Sequence, residues 1–510
     1  MVLFLWNFLQ LAAALADLIE PENHTENYAR ECALPEYLRG IGWTKVEDLL
    51  LQDLRIGNAI VPTHYAVDLD VDVRGYNGAE ESGFAGTVFI DLNIVEPVRG
   101  IELHAVGLDI RKASITLLES DILLRTTSCI INSLRETVTL FENEEFKPQH
   151  ARLAIAFIGT SYRNGYGLFE TWSRMDGESP RIALTTFTSP TGARYWFPSF
   201  DEPDKKATFQ LTVNHANTLN PYSNTRVDSS MAMNPNRTRT VFAKTSLLPT
   251  YMLAMTLNDL PFESITYMNH TVRAFGPGSD IAVIQARNAL DKLWTDWRFK
   301  ELPFITEKTD IFIFEDIDMA LEYPGMMVLP VGAVEQGEYI MEHEFVHMYF
   351  GNLVTPSTFD NSWIIEGFAT LIPGLEKNNL VRPSAPGFSS LHESAVFENR
   401  RFVNTISSTI HYTDSYITYV KSAQIFDYIS RVNSLFWNNT KNLLVNNEYG
   451  NVNGGSVIDE ISKRKPDAIK HLLADLITQP GKGLLVVNQD NCTVNFNVMR
   501  YHSSYFDENL

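Results

Sequence analysis

His343-Glu344-Phe345-Val346-His347, separated from Glu366 by residues 348–365, constrains this chain more than any other stretch. The five-residue core fits a helix, and helical spacing puts two histidines four apart on one face. Two neutral imidazoles placed this way bind one Zn²⁺ at about 2.0–2.1 Å each. Glu344 follows the first ligand by one position, so it can face a water on the metal without ligating it. A third ligand has to come from a second element. Residues 348–365 are long enough to finish the first helix, turn at Pro356 and begin another helix that carries Glu366. Two histidines, one carboxylate and one open position make a catalytic site rather than a closed structural one.

A five-residue pattern of this kind also arises by chance in unrelated proteins, so its surroundings matter. Glu342 to Phe350 contains no Gly or Pro and is compatible with a helix. Glu366 comes straight after the apolar Trp363-Ile364-Ile365, where a charged group needs a partner, and a metal ion is a good one. The set predicts one Zn²⁺ per chain, with His343, His347 and Glu366 as ligands. Zinc lowers the pKa of a bound water towards ~7. Glu344 is placed to act as general base and to pass the proton to a leaving amine, which makes peptide hydrolysis the reaction that fits best.

The chain has 510 residues, a length that suggests about three domains. Its 45% hydrophobic and 20% charged residues describe a globular protein with a large core. A formal net charge of −21 argues against a nucleic-acid partner, which would require clustered Lys and Arg. Residues 1–16 are apolar and end in Ala14-Leu15-Ala16, the pattern of a cleaved secretory signal without a basic start. No later run is long and apolar enough to span a bilayer. Sequons at Asn23, Asn236, Asn269, Asn438 and Asn491 agree with a secretory route and an extracellular or cell-surface location. The three cysteines, Cys32, Cys129 and Cys492, exclude a disulfide scaffold and leave room for one bridge, such as Cys32–Cys129.

Residues from about 54 to 255 read mostly as strands. His64 to Val73 alternates with period two, the mark of a half-buried strand. Its Asp68, Asp70 and Asp72 lack the Gly and Glu that a calcium loop needs at its sixth and twelfth positions, and read as a solvated strand face. After residue 260 the pattern is mixed and then helical, with helices expected at Asp280–Phe299 and Lys421–Val432 and a buried strand at Asp310–Phe314. Leu484–Val487 and Cys492–Val498 read as two strands that cannot bury a core alone. The expected fold class is α+β and multidomain. A signal occupies 1–16, an N-terminal β domain 17–259, a mixed α/β catalytic domain 260–477, and a partial β-sandwich 478–510.

Three segments carry a resemblance that runs from about residue 54 to about 500. These are His343–Ala369 with Phe350-Gly351-Asn352-Leu353-Val354-Thr355 inside it, Gly192 to Pro203, and Tyr419-Val420-Lys421-Ser422. Together they resemble the zinc aminopeptidases of the aminopeptidase N type, within the gluzincins. The resemblance implies a saddle-like N-terminal β domain, a thermolysin-like catalytic domain and peptide substrates with a free N-terminus. By resemblance, Tyr419 is the phenol that hydrogen-bonds the oxyanion. Met319-Ala320-Leu321-Glu322-Tyr323 matches the family's Gly-Ala-Met-Glu-Asn segment, so Glu322 would hold the substrate's α-amine with Ala320 beside it.

Three positions depart from the family's pattern. Ser189 stands where a second amine anchor, Glu or Gln, is expected, and a short uncharged side chain weakens that anchor. Met319 replaces a glycine that permits close backbone approach. Pro373 lies where the helix carrying Glu366 normally continues and bears a supporting glutamate, so a bent or shortened helix and poorer ligand support are expected. The leading reading is a zinc aminopeptidase. Two others stay open: a catalytically impaired relative acting as a secreted or cell-surface binding protein, and a zinc endopeptidase.

Overall fold

The alternation that starts at Ile60 becomes a strand, Ile60–Asp72, with Tyr65, Val67, Leu69 and Val71 almost fully buried. A computed structural model describes residues 55–375 and 416–501, apart from 77, 80, 121, 126, 127, 134, 162–164, 176, 464–469, 471–481, 491 and 492. The segment 1–16, Cys32, Cys492, Asn23 and Asn491 lie outside the described residues. Cys129 is disulfide-bonded. No helix among the described residues is long and apolar enough to cross a membrane.

The chain forms two compact units. The first comprises residues up to Glu170, Thr186–Pro221 and Val227–Thr245. It is built on an eight-stranded sheet in the order Val227–Asn234, Arg237–Phe242, Thr208–Ala216, Ile60–Asp72, Gly83–Ile94, Gln149–Thr160, Asp109–Leu117, Ile122–Arg125. Ile60–Asp72 pairs in parallel with Thr208–Ala216, a partner far along the chain, and antiparallel with Gly83–Ile94. The outward carboxylates of the first strand meet arginines across the sheet. Arg239 reaches Asp68 at 2.6 Å, and Arg237 reaches Asp72 at 2.6 Å and also pairs with Asp70. In the Gly192–Pro203 segment, buried Arg194 is held by Asp201 at 2.9 Å and Glu136 at 2.7 Å, so its charge is compensated where water is scarce.

The second unit comprises Thr171–Thr185, Tyr222–Arg226 and residues from Ser246 onward. Its four-stranded sheet runs Phe262–Tyr267, His270–Phe275, Lys308–Phe314, Met326–Pro330; the first pair is antiparallel and the other two are parallel. Parallel neighbours need a crossover. Helix α1, Ser279–Thr295, supplies it between the second and third strands and buries Ala282, Ala286, Ala289, Leu290 and Leu293. After the last strand come α2, Val331–Glu335, and α3, Glu338–Val346. Helix α4, Ser362–Leu375, follows a short bridge at Thr355–Pro356. A π-helical turn, Tyr416–Lys421, leads into α5, Ser422–Val432, then α6, Phe436–Asn446, and α7, Gly454–Ile461. Lys482–Asp490 and Thr493–Tyr501 form an antiparallel pair.

Helix α4 is apolar nearly all round because it is covered on both sides. The Phe368 ring stacks on Phe350 at 4.2 Å and on Phe426 of α5 at 4.1 Å. Gly367 permits the close approach of α5, since a Cβ there would stand 2.7 Å from the Ser422 side chain and 2.8 Å from Phe426. This packing fixes the axial rotation of α4 and turns Glu366 towards α3.

Candidate metal centre and active site

The turn that ends α3 sets the position of the second histidine. The helix closes at Val346, and His347 caps it with its own N–H on the His343 carbonyl at 3.3 Å. His343, His347 and Glu366 each present one donor atom, all within 4.8 Å of one another. The two Nε2 atoms are 3.1 Å apart, and Glu366 Oε2 lies 3.4 Å from each. Glu366 Oε2 is buried without a hydrogen-bond partner. Donors at the corners of a tetrahedron with bonds of about 2.0–2.1 Å stand roughly 3.3–3.4 Å apart, so this triangle has the size that a zinc ion requires. Nitrogen, nitrogen and carboxylate donors also suit that ion.

A main-chain carbonyl orients the second imidazole. His347 Nδ1 faces the Phe350 carbonyl at 3.0 Å. A proton held on the outer nitrogen leaves the Nε2 lone pair directed inward, as a ligand must be.

Without a cation the cluster is electrostatically divided. Burial favours neutral forms throughout. For His347 that cost is outweighed by the carboxylates of Glu366, Glu322 and Glu344, which push its pKa up to about 10. Burial likewise opposes the Glu366 charge, but the two imidazoles hold its pKa at about 2. Glu344, whose burial is reinforced by Glu322 and Glu366 and only partly offset by His347, is pushed up to about 8. An imidazole must be neutral to ligate. Loading the metal-free chain with Zn²⁺ near neutral pH is therefore expected to release up to about two protons per ion, one from His347 and one from Glu344, whose carboxylate the cation favours. Protons compete, so apparent affinity rises with pH by about tenfold per unit or more, until His347 deprotonates unaided near 10. Chelator competition across pH and calorimetry in buffers of different ionisation enthalpy measure this. A pH-independent affinity would contradict it.

Glu322 is buried beside the same group, and burial raises its pKa, with the nearby His347 opposing and Glu366 adding to the rise. Its segment is braced by the main chain. Leu321 and Val328 exchange hydrogen bonds at 2.9 and 3.1 Å, and Asn352 Nδ2 donates to the Glu322 carbonyl at 2.8 Å. Asn224 Nδ2 donates to the Pro324 carbonyl and Lys308 Nζ to the Gly325 carbonyl, each at 2.9 Å. Gly325 sits at φ 73°, and a Cβ there would stand 2.1 Å from the Asn224 carbonyl oxygen, so the turn admits only glycine. Ala320 is half-buried and Met319 is 52% exposed. Tyr419, from the π-helical turn, lies with its ring 5.8 Å from that of His343 at 17°, and its hydroxyl bonds the Glu366 carboxylate. Burial, then Glu366, Glu322 and Glu344, push its pKa well above the usual phenol value.

The second unit thus assembles His343, His347, Glu366, Glu344, Tyr419 and Glu322, with Ala320 close by in sequence. Ser189 belongs to the first unit and is half-buried. The bracing roles of Asn352, Asn224 and Lys308 escaped sequence reasoning. One signal was available: polar Lys308, Thr309 and Asp310 open a strand whose seven residues are all buried, and buried polar groups need partners.

Residues 61–252 match the peptidase M1 N-terminal domain and residues 327–476 the peptidase family M1 domain. Similar proteins include aminopeptidase A of Gloydius brevicauda, 27% identical over 346 residues, covering 62% of this chain and 34% of that protein. Probable M1 family aminopeptidase 2 of Encephalitozoon cuniculi is 26% identical over 494 residues, 88% of this chain and 55% of that protein. Human glutamyl aminopeptidase is 25% identical over 355 residues, 64% of this chain and 36% of that protein. The matched region thus spans between a third and about half of the length of these relatives.

Proposed function

Because the chain belongs to peptidase family M1, we propose that it is a zinc-dependent aminopeptidase that removes N-terminal residues from peptides. The observation that carries this reading is the joint burial of Glu344 and Glu322 beside the three-donor group of His343, His347 and Glu366. A zinc ion held by those donors would supply Lewis acidity, acidifying a water molecule and polarising the scissile carbonyl. Glu344 takes the proton of the attacking water and passes it to the departing amine. Tyr419 donates its hydroxyl hydrogen to the oxyanion. Glu322 accepts from the substrate's α-ammonium, and its fixed distance from the donor group selects the first peptide bond. Similarity to glutamyl aminopeptidases makes acidic N-terminal residues the first to try. A secretory route is part of the same proposal, and Asn236, Asn269 and Asn438 are exposed, as glycan acceptors must be.

The test is a panel of aminoacyl anilides, including Glu and Asp, set against N-blocked peptides, with and without chelator. Chelator-sensitive cleavage of free-amine substrates alone is expected. Cleavage of blocked peptides would instead indicate an endopeptidase in which amine anchoring has failed. Absence of turnover with zinc bound would indicate a binding protein. Glu322→Gln removes one charge-assisted contact and is expected to lower kcat/KM for free-amine substrates by roughly 10–100-fold, from a loss of about 1.5–3 kcal/mol. Unchanged kcat/KM would remove Glu322 from the amine site.

A further inference from the structure

Helix α3 ends at Val346, and the chain leaves it through a wide turn. The N–H groups of Asn352, Leu353 and Val354 donate to the carbonyls of His347, Met348 and Tyr349 at 3.0, 3.1 and 3.2 Å. Each bond reaches five residues back, where an α-helix reaches four. Gly351 makes the turn possible, since it sits at φ 127°, a conformation that L side chains rarely adopt. Asn352 is thereby tied, through its own N–H, to the main chain of a metal ligand. Its side chain reaches a different segment. Nδ2 donates to the carbonyl of Glu322, thirty positions earlier, at 2.8 Å, and lies 3.4 Å from Met348 Sδ. Asn352 is fully buried, and its Oδ1 accepts no hydrogen bond among the described residues. An unsatisfied acceptor in a core costs stability, so packing alone does not favour an amide at this position.

We propose that Asn352 is a positioning residue for Glu322: it ties the amine anchor to the end of the metal-ligand helix and so sets the distance from the substrate's α-amine to the donor group. The proposal rests on the aminopeptidase reading, in which Glu322 holds that amine. Two hydrogen bonds and one asparagine side chain make the link from the His347 carbonyl to the Glu322 carbonyl. The other braces act on neighbouring residues. Leu321 is held by Val328, Pro324 by Asn224 and Gly325 by Lys308. Those partners belong to other parts of the unit, whereas Asn352 connects the segment to α3. A substrate that must meet an anchor and a metal together tolerates little error between them, and a displacement of about 1 Å can cost about 100-fold.

The test compares inhibition by an amino-acid hydroxamate with inhibition by its counterpart lacking the α-amine. Both bind the metal through the hydroxamate, so the ratio of their inhibition constants reads the amine anchor. Asn352→Leu removes the donor at similar volume, and Asn352→Ala removes it while opening space. Both are expected to reduce the parent's preference for the amine-bearing inhibitor by about tenfold. Binding of the amine-free inhibitor, and zinc affinity by chelator competition, are expected to stay within about threefold of the parent. In a Glu322→Gln background the same changes are expected to leave the ratio unaltered, as for two residues that act through one another. Should one variant fail to fold, the other decides. Equal losses for the two hydroxamates, or a matching fall in zinc affinity, would make Asn352 a support of the metal site alone and overturn the proposal. A preference that stays within about threefold of the parent's, or that falls further in the Glu322→Gln background, would overturn it as well. A parent chain with no preference for the amine would overturn the amine-anchoring reading itself.

Discussion

Glu344→Gln is expected to abolish turnover while leaving zinc in place, with kcat falling by roughly 10²–10⁴-fold. The upper end is the natural expectation, because in the proposed mechanism Glu344 both removes the proton from water and delivers it to the leaving amine. An amide of the same shape can do neither. Zinc content is expected to stay unchanged, since the donor group is His343, His347 and Glu366. The pH profile gives a second readout. In the metal-free chain burial, with Glu322 and Glu366, keeps Glu344 protonated up to about pH 8. A nearby cation favours the carboxylate and moves that value down. A general base acts only when ionised, so kcat/KM rises with pH through this titration and levels off below about pH 8. That acid limb disappears from any residual activity of the variant. A variant that retains zinc and more than about a tenth of the parent kcat would remove Glu344 from the mechanism.

The legible parts of this fold are those whose causes are local. His343 and His347 share a face because four residues make just over one helical turn, a relation fixed within five positions. Ile60–Asp72 was readable because its buried and exposed sides alternate. Val227–Asn234 was not, because all eight residues of this edge strand are exposed and nothing selects apolar side chains at alternate positions. The parallel neighbour of Ile60–Asp72 was equally hidden, since that strand and Thr208–Ala216 pair across a long stretch of chain that no periodicity encodes.

The same division runs through the site. Glu366 could be placed on a second helix from Pro356 and the apolar run before it. The group that aims His347 could not, because it is the carbonyl of Phe350, and every residue type carries a carbonyl. Asn352 stood in a segment that resembled a known family, yet its bond to the Glu322 carbonyl joins the turn after α3 to a strand edge thirty positions earlier. Side-chain identity tells which chemistry is available. The surroundings that make it work here are largely main chain, and they emerge only once α3, α4 and the Glu322 segment are packed together.

Tyr419→Phe is the sharpest test of how the developing charge is met. The hydroxyl is held at the donor group by its bond to Glu366 and by a ring nearly parallel to that of His343. Burial and three carboxylates keep its proton on well above the usual phenol range, so it remains a donor wherever the protein is folded. A donor that meets the oxyanion only as the carbonyl carbon becomes tetrahedral stabilises the transition state and not the bound substrate. Its removal is therefore expected to lower kcat by about 10²–10³-fold with little change in KM. Zinc content is expected to hold, because the phenol is not among the three donors. Tetrahedral phosphorus analogues, which carry the oxyanion permanently, are expected to bind more weakly by a similar factor, whereas amine products that lack it bind as before. A rise in KM at constant kcat would mean that Tyr419 contacts the substrate in its ground state, and an equal loss for analogue and product would mean that the ring alone shapes the pocket.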